Sequence, residues 1–296
     1  MAVDDIHDAF RKSEFRRGVR ECDLAQELSG SVNAQYNVAK ANSLPIKIAT
    51  YQRHKMFAAF LDMTGIDVND TILDVGVTSD QTYDHSNYLE AWYPYKVCIT
   101  AAGIDDAAFL QSLYPGVRFV RADGRELPFE SGSFDFAHSS AVLEHVGDRN
   151  KQVQFLREIW RVARKGIFVT TPNVWFPLEF HTLLPLLHWL PAPLYRKGLV
   201  ALGKEFFAAE ENLNLLSRRS LAIVADVAGI EHFRLAEVSL LGLPTNLLLM
   251  GYKLFPPAPT EVGWSWSRLL ERSGILRCAA APKRHAWTGS TCAPPT

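Results

Sequence analysis

Three aspartates mark the ends of apolar runs. Asp74 follows Thr71-Ile72-Leu73 and precedes Val75-Gly76, Asp105 closes the run Val97 to Ile104, and Asp123 follows Val117 to Arg121 and stands before Gly124. Such runs suit strands covered on both faces, and open α/β sheets bind ligands outside the carboxyl ends of their strands. A carboxylate placed there accepts hydrogen bonds from the two hydroxyls of a ribose, for which Asp105 is the candidate. It also accepts from an exocyclic amine such as that of adenine, for which Asp123 is the candidate. Asp105 or Asp106 equally suits the N-cap of a short helix over 107–113. The groups best suited to proton transfer are the imidazoles of His145, His181 and His188.

The elements that must hold these residues follow from pattern. Ile48, Tyr51, Met56, Phe57, Phe60 and Leu61 recur at near-helical spacing, which predicts a helix over 46–62 closed by Gly65. Strands are expected over 71–75, 97–104, 117–121, 134–138 and 167–173. Between the last two, Asp148 caps an amphipathic helix carrying Val153, Phe155, Leu156, Ile159, Trp160 and Val162, with Gly166 as its stop. Strand, helix and strand in this rhythm mean parallel pairing. A helix over 221–227 ends at Gly229. Strands over 233–240 and 246–252 are separated by only five residues, too few for a parallel crossover, so they pair antiparallel. The small residues Ser139, Ser140 and Ala141 after the fourth strand let backbone approach a bound ligand.

Composition narrows the class. A 296-residue chain with 48% hydrophobic and 21% charged residues can bury one substantial core plus an appendage. A net charge of -1 gives no field favouring nucleic acid. The first 20 residues have no apolar stretch of the secretory kind, and the four cysteines lack metal-ligand spacing, so cytosol is the expected compartment and no metal is expected.

The motifs taken together resemble a known family. Leu73-Asp74-Val75-Gly76, Gly103-Ile104-Asp105, Asp123-Gly124 with Leu127-Pro128-Phe129, and Ser133-Phe134-Asp135 leading to Leu143-Glu144-His145-Val146 resemble the successive motifs of class I S-adenosylmethionine-dependent methyltransferases, in the type-11 methyltransferase-domain group. The resemblance covers about residues 70–173. It implies an α/β, doubly wound, Rossmann-like sheet, mostly parallel with an antiparallel last strand, and S-adenosylmethionine as cofactor. It also implies that Asp74, Gly76, Val77 and Thr78 line the methionine end, that Asp105 or Asp106 holds the ribose, that Asp123 with Gly124 meets the adenine, and that Ser139 completes the floor. The family turn carries three alternating glycines, whereas here only Gly76 stands and Thr78 and Asp80 occupy the later places.

Three units are expected: an extension over 1–45, a methyltransferase domain over 46–255, and a Pro-rich tail over 256–296 in which Trp264, Trp266 and Leu269 suit one short helix. The domain carries an apolar insertion over 173–215. Prolines 177, 185, 191 and 193 break the insertion, so it is not a spanning helix. It suits a lid over a small-molecule, hydrophobic or lipid-linked acceptor, with peripheral membrane contact through 174–197 by way of Trp175, Trp189, Arg196 and Lys197, or else an auxiliary helical pair. Methyl transfer needs a base only for a protonated acceptor, and His181, then His145, are the candidates. The competing classes are a methyltransferase-like interaction protein without cofactor and a nicotinamide-dependent oxidoreductase.

Overall fold

A computed structural model describes residues 43–81 and 85–253. The expected extension before residue 43 and the tail with its Trp264 to Leu269 helix lie outside the described residues. The chain runs α1 (Leu44–Thr64), β1 (Ile72–Val75), α2 (Tyr88–Trp92), β2 (Ile99–Gly103), α3 (Phe109–Leu113), β3 (Arg118–Arg121), β4 (Phe134–Ser140), α4 (Arg149–Val162) and β5 (Ala163–Pro172). It continues through β6 (Leu178–Glu179), β7 (Leu184–Pro185), α5 (Ala192–Ala201), α6 (Glu205–Ala208), α7 (Arg218–Val227), β8 (Phe233–Leu240) and β9 (Leu243–Tyr252).

Seven strands form one sheet in the order β3-β2-β1-β4-β5-β9-β8. Every residue of β1 and β2 is buried, as expected of central parallel strands with helices on both faces. On one face Met56, Phe57 and Phe60 of α1 pack over Ile72, Ile99, Phe136 and Phe168. On the other, Phe155, Leu156 and Ile159 of α4 join Leu221 and Val224 of α7 over Leu73, Val75 and Ile167. Gly65 closes α1 in the left-handed conformation, φ 58°, and donates to the Leu61 carbonyl.

β9 runs antiparallel to β5, from Gly166 opposite Tyr252 to Pro172 opposite Asn246. The β8–β9 turn is shorter than the five residues expected: the ladder continues to Leu240 opposite Leu243, leaving Leu241 and Gly242. Both have positive φ, 50° and 81°, the combination that lets a two-residue hairpin follow strand twist. Gly166 does not end α4. The helix stops at Val162, β5 starts at once, and Gly166 lies inside that strand against the carbonyl of Gly251, where a side chain would collide. The insertion has its own small core of Tyr195, Leu199, Phe207 and Leu213, flanked by Leu184 and Leu187.

Gly166→Ala should therefore destabilise the sheet by about 2–4 kcal/mol, because the new methyl meets backbone that cannot yield. Gly65→Ala, where the methyl meets open space, should lose only about 1–2 kcal/mol for its left-handed backbone. Urea midpoints of the two variants test the ranking.

Candidate functional site

A cleft of about 410 Å³ opens at the carboxyl ends of the central strands, within the size range of small-molecule sites. Its floor begins at Gly76, φ 97°, where a side chain would run into Val142 of the β4 exit. The amides of Gly76 and Val77 donate to the Ala102 carbonyl at 2.7 and 3.2 Å, carrying the β1–β2 pairing past the end of β1. Thr78 stands on the wall without glycine's freedom because Asn87 clamps it. Asn87 Oδ1 accepts from the Thr78 amide at 2.8 Å, and Asn87 Nδ2 donates to its carbonyl at 3.0 Å. Gly124 lets β3's exit come close to Val75 and Phe155.

The expected convergence of three carboxylates is not what the structure shows; among them Asp123 lies on the wall. Arg125 grips it, with Nη2 donating to Oδ2 at 2.6 Å and the Arg125 amide to Oδ1 at 2.9 Å, and this pairing holds the Asp123 carboxyl below its ordinary range. Asp105 is not part of the wall and lies 3.4 Å from Ser79 Oγ. Asp106 accepts from the Ala108 amide at 2.9 Å, an Asx turn ahead of α3; the N-cap is Ala108, with no side-chain cap, so neither aspartate caps the helix as expected. Ser139 is fully buried behind the wall and donates to the Val75 carbonyl, while Ser140, Ala141 and Val142 face the cleft. The left-handed φ of Ala141, 56°, turns the chain there.

Asp74 points the other way because alternation along β1 sends it to the α1 face with Ile72, while Leu73 and Val75 take the α4 face. Its Oδ1 lies 2.7 Å from His138 Nδ1, and the Tyr88 hydroxyl lies 2.9 Å from His138 Nε2. Burial pushes the Asp74 carboxyl up to about 7 and the His138 imidazole down to about 4. Burial likewise raises Glu90, whose two carboxyl oxygens have no hydrogen-bond partner among the described residues.

Two histidines meet at the other end of the cleft. His145 lies on a single turn, Leu143–His145, between β4 and α4. Its Nε2 is 3.0 Å from His181 Nε2. His145 Nδ1 donates to the Asn212 carbonyl and His181 Nδ1 to Glu179 Oε1, both at 2.7 Å. Burial opposes charge on both members of the His181–Glu179 pair, yet their attraction raises the imidazole and, with the amides of His181 and Thr182, holds Glu179 at about 2. Burial, with His181 alongside, drives His145 down to about 3. His188 is elsewhere: its Nε2 donates to the Phe176 carbonyl.

Sequence reasoning missed Arg53, which reaches the wall near Thr78 and Asn87 from a helix legible only for its apolar stripe. Arg53 Nη1 is buried with no hydrogen-bond partner among the described residues, and burial lowers the guanidinium's pKa. It also missed Arg125, Lys151 and Asn212, which no spacing announces.

Residues 73–170 match the family model described as a methyltransferase domain. This stretch is a methyltransferase domain. The sheet order of the whole described chain, with β9 reversed beyond that stretch, is that of the class I methyltransferase fold, whose cofactor is S-adenosylmethionine, and the reversed strand sets it apart from nicotinamide-binding folds. The chain is 27% identical over 153 residues to the ubiquinone/menaquinone biosynthesis C-methyltransferase UbiE of Idiomarina loihiensis, covering 48% of this chain and 56% of that one. It is 38% identical over 68 residues to a probable S-adenosylmethionine-dependent methyltransferase of Mycobacterium tuberculosis, covering 22% and 24%. The chain thus spans about half or less of the length of these relatives. The magnesium protoporphyrin IX methyltransferase of Synechocystis, solved with bound SAH, is 14% identical, with a TM-score of 0.45 over 86% of this chain and 100% of that one.

At the buried Asp74 the folded chain keeps a proton that the unfolded chain releases, so this group's contribution to stability should fall as pH rises from about 4 to about 7, against the opposite trend of His138, held neutral by burial. Asp74→Asn keeps a partner for His138 and removes the charge. The change in Tm from pH 5 to pH 8 should therefore be more favourable in the variant than in the unaltered protein by about 3–10 °C, corresponding to roughly 1–3 kcal/mol.

Proposed function

We propose that this chain transfers a methyl group from S-adenosylmethionine to a small-molecule acceptor that enters at the His145 and His181 end of the cleft. The observation that carries the reading is the buried, unpartnered Nη1 of Arg53 on the wall beside the β1 turn, which suits the α-carboxylate of the cofactor's methionine portion. Gly76, Gly103 and Gly124 supply backbone close to the ligand, and Asp123, held in place by Arg125, offers an oxygen to an amine at the nucleoside end. The residues present fit the cofactor in these respects.

S-adenosylmethionine supplies a methyl carbon already activated by its sulfonium, so the chain's work is alignment and exclusion of water. Bound there, the cofactor would supply the methyl group and a sulfur to keep the electron pair of the broken bond, while the cleft would hold the acceptor nucleophile in line. An acceptor hydroxyl would release its proton to the imidazole pair, where Glu179 makes His181 the more basic member.

A hydrophobic or lipid-linked acceptor, presented at a membrane surface, is supported by the outer face of the insertion. Trp175 is 63% exposed and Trp189 44%, with Leu186, Leu190 and Leu194 also exposed and Arg196 and Lys197 next in sequence. No helix among the described residues is long and apolar enough to cross a membrane. Trp175→Ser with Trp189→Ser should reduce co-sedimentation with anionic lipid vesicles about threefold or more; unchanged sedimentation removes the membrane contact.

Isothermal titration with S-adenosylhomocysteine should show one site, and Arg53→Ala should weaken it by about 10- to 100-fold, as for a hydrogen bond to a charged group. The same variant should bind 5′-methylthioadenosine, which lacks the carboxylate, as well as the unaltered protein does. Absence of any S-adenosylhomocysteine binding would leave the interaction-protein alternative, in which the Thr78 amide is spent on Asn87 and not on a ligand.

A further inference from the structure

We propose that Glu144, His145 and His181 form a binding site for a divalent transition-metal ion at the acceptor end of the cleft. One oxygen and two ring nitrogens of these side chains lie within 4.8 Å of one another. The two Nε2 atoms are 3.0 Å apart, and Glu144 Oε1 is 3.8 Å from His145 Nε2.

The hydrogen positions follow from the partners. The Asn212 carbonyl only accepts, so His145 Nδ1 carries a hydrogen, and Glu179 Oε1, which also takes the His181 amide, accepts from His181 Nδ1. With both Nδ1 atoms turned outward, the rings present their Nε2 atoms to each other at 3.0 Å, a spacing that a shared positive charge, a proton or a metal ion, stabilises. Glu144 points to what that charge is. It is fully buried, its Oε2 accepts from Thr171 Oγ1 at 2.9 Å, and its Oε1 has no hydrogen-bond partner among the described residues. A buried carboxyl oxygen with no donor, beside two ring nitrogens, is satisfied by a cation that binds all three.

The outer contacts are those of a built metal site. Metal-bound histidines characteristically donate the other ring nitrogen to a carboxylate or a backbone carbonyl, and Glu179 and Asn212 provide one of each. Two imidazoles and one carboxylate suit zinc, iron(II), cobalt or manganese rather than calcium. Bonds of about 2.05 Å at a tetrahedral angle require roughly 3.3 Å between the nitrogens, so the pair need open by only ~0.3 Å. His145 and His181 both face the cleft, which leaves a fourth position for an oxygen of the acceptor. The site deepens the methyltransferase reading by favouring an oxygen-bearing acceptor: with both Nε2 atoms taken as ligands, a bound ion would acidify the acceptor hydroxyl in place of the imidazole base and its proton would pass to solvent, although metal binding itself does not depend on methyl transfer. Sequence gave no sign of it because His181 lies 36 residues beyond His145, on the insertion.

The test uses the full chain, stripped with chelator and dialysed, then titrated with Zn2+ by calorimetry. One equivalent should bind. His181→Ala and Glu144→Gln should each weaken binding by well over tenfold, and Glu179→Gln by about 10- to 100-fold, the range for partners of metal ligands. His232→Ala, an exposed histidine remote from the site in sequence, should change nothing. Because a variant of a buried residue can fail to fold, Co2+ is also added to the unaltered protein, where it should broaden the ring resonances of His145 and His181 selectively. No zinc binding, zinc binding that His181→Ala leaves unchanged, or cobalt broadening at other histidines would each overturn the proposal. Titration with S-adenosylhomocysteine is run separately. Cofactor binding without metal binding defeats this inference alone, and metal binding without cofactor binding defeats the methyltransferase reading alone.

Discussion

The walls of the cleft hang from the parallel pairing of β1 with β2 on one side and β4 on the other, where Asp74 stands opposite both Ala101 and His138. Strands buried on both faces leave polar backbone to satisfy where they end, and here the ladder runs one step beyond β1 as Gly76 and Val77 donate to Ala102. That extra step draws the turn down against Val142, which fills the volume any Gly76 side chain would need. The exits of β1 and β4 are thereby locked at a close approach, and the cleft between them is the space left over.

Beneath the floor lies a polar layer that water does not reach. Asp74, His138, Tyr88 and Glu90 are all buried between the sheet and α1. Low dielectric raises the carboxyls and lowers the imidazole, so the layer holds little net charge near neutral pH. The ion pairs sit nearer the surface: Arg164 and Lys165 at the start of β5 hold Asp135 and Asp70 at the opposite end of the sheet from the cleft. The Arg164 and Lys165 pairs thus lie away from the neutral buried layer, while the cleft keeps pairs of its own in Asp123 with Arg125 and Glu179 with His181.

The insertion packs on its own core and also reaches the cleft. Tyr195, Leu199, Phe207 and Leu213 pack on one another as an auxiliary helical piece, while the ribbon before them carries His181 and the loop between Phe207 and Leu213 carries Asn212 to the cleft. A small independent core gives these two residues a rigid mount, which loops alone would not supply. Glu179 completes it by accepting from the His181 amide, the His181 ring and the Thr182 amide at once.

Local pattern determined the succession of strands and helices along the chain, the antiparallel hairpin and the cap at Asp148, because each rests on residues close together in the chain. It also placed Gly76, Thr78, Asp123 and Gly124 at strand exits that do border the cleft. Only the tertiary structure decided which acids face a ligand. Asp74 is turned away by strand alternation, Asp106 is taken up by the turn before α3, and Asp123 is clasped by Arg125. Only the fold, too, brought Arg53 beside Thr78 and His181 beside His145. The physical reason is range: patterns of period two or 3.6 report which face a residue takes within its own element, whereas a binding site is set by side chains from elements that meet only once the sheet has closed between its helices.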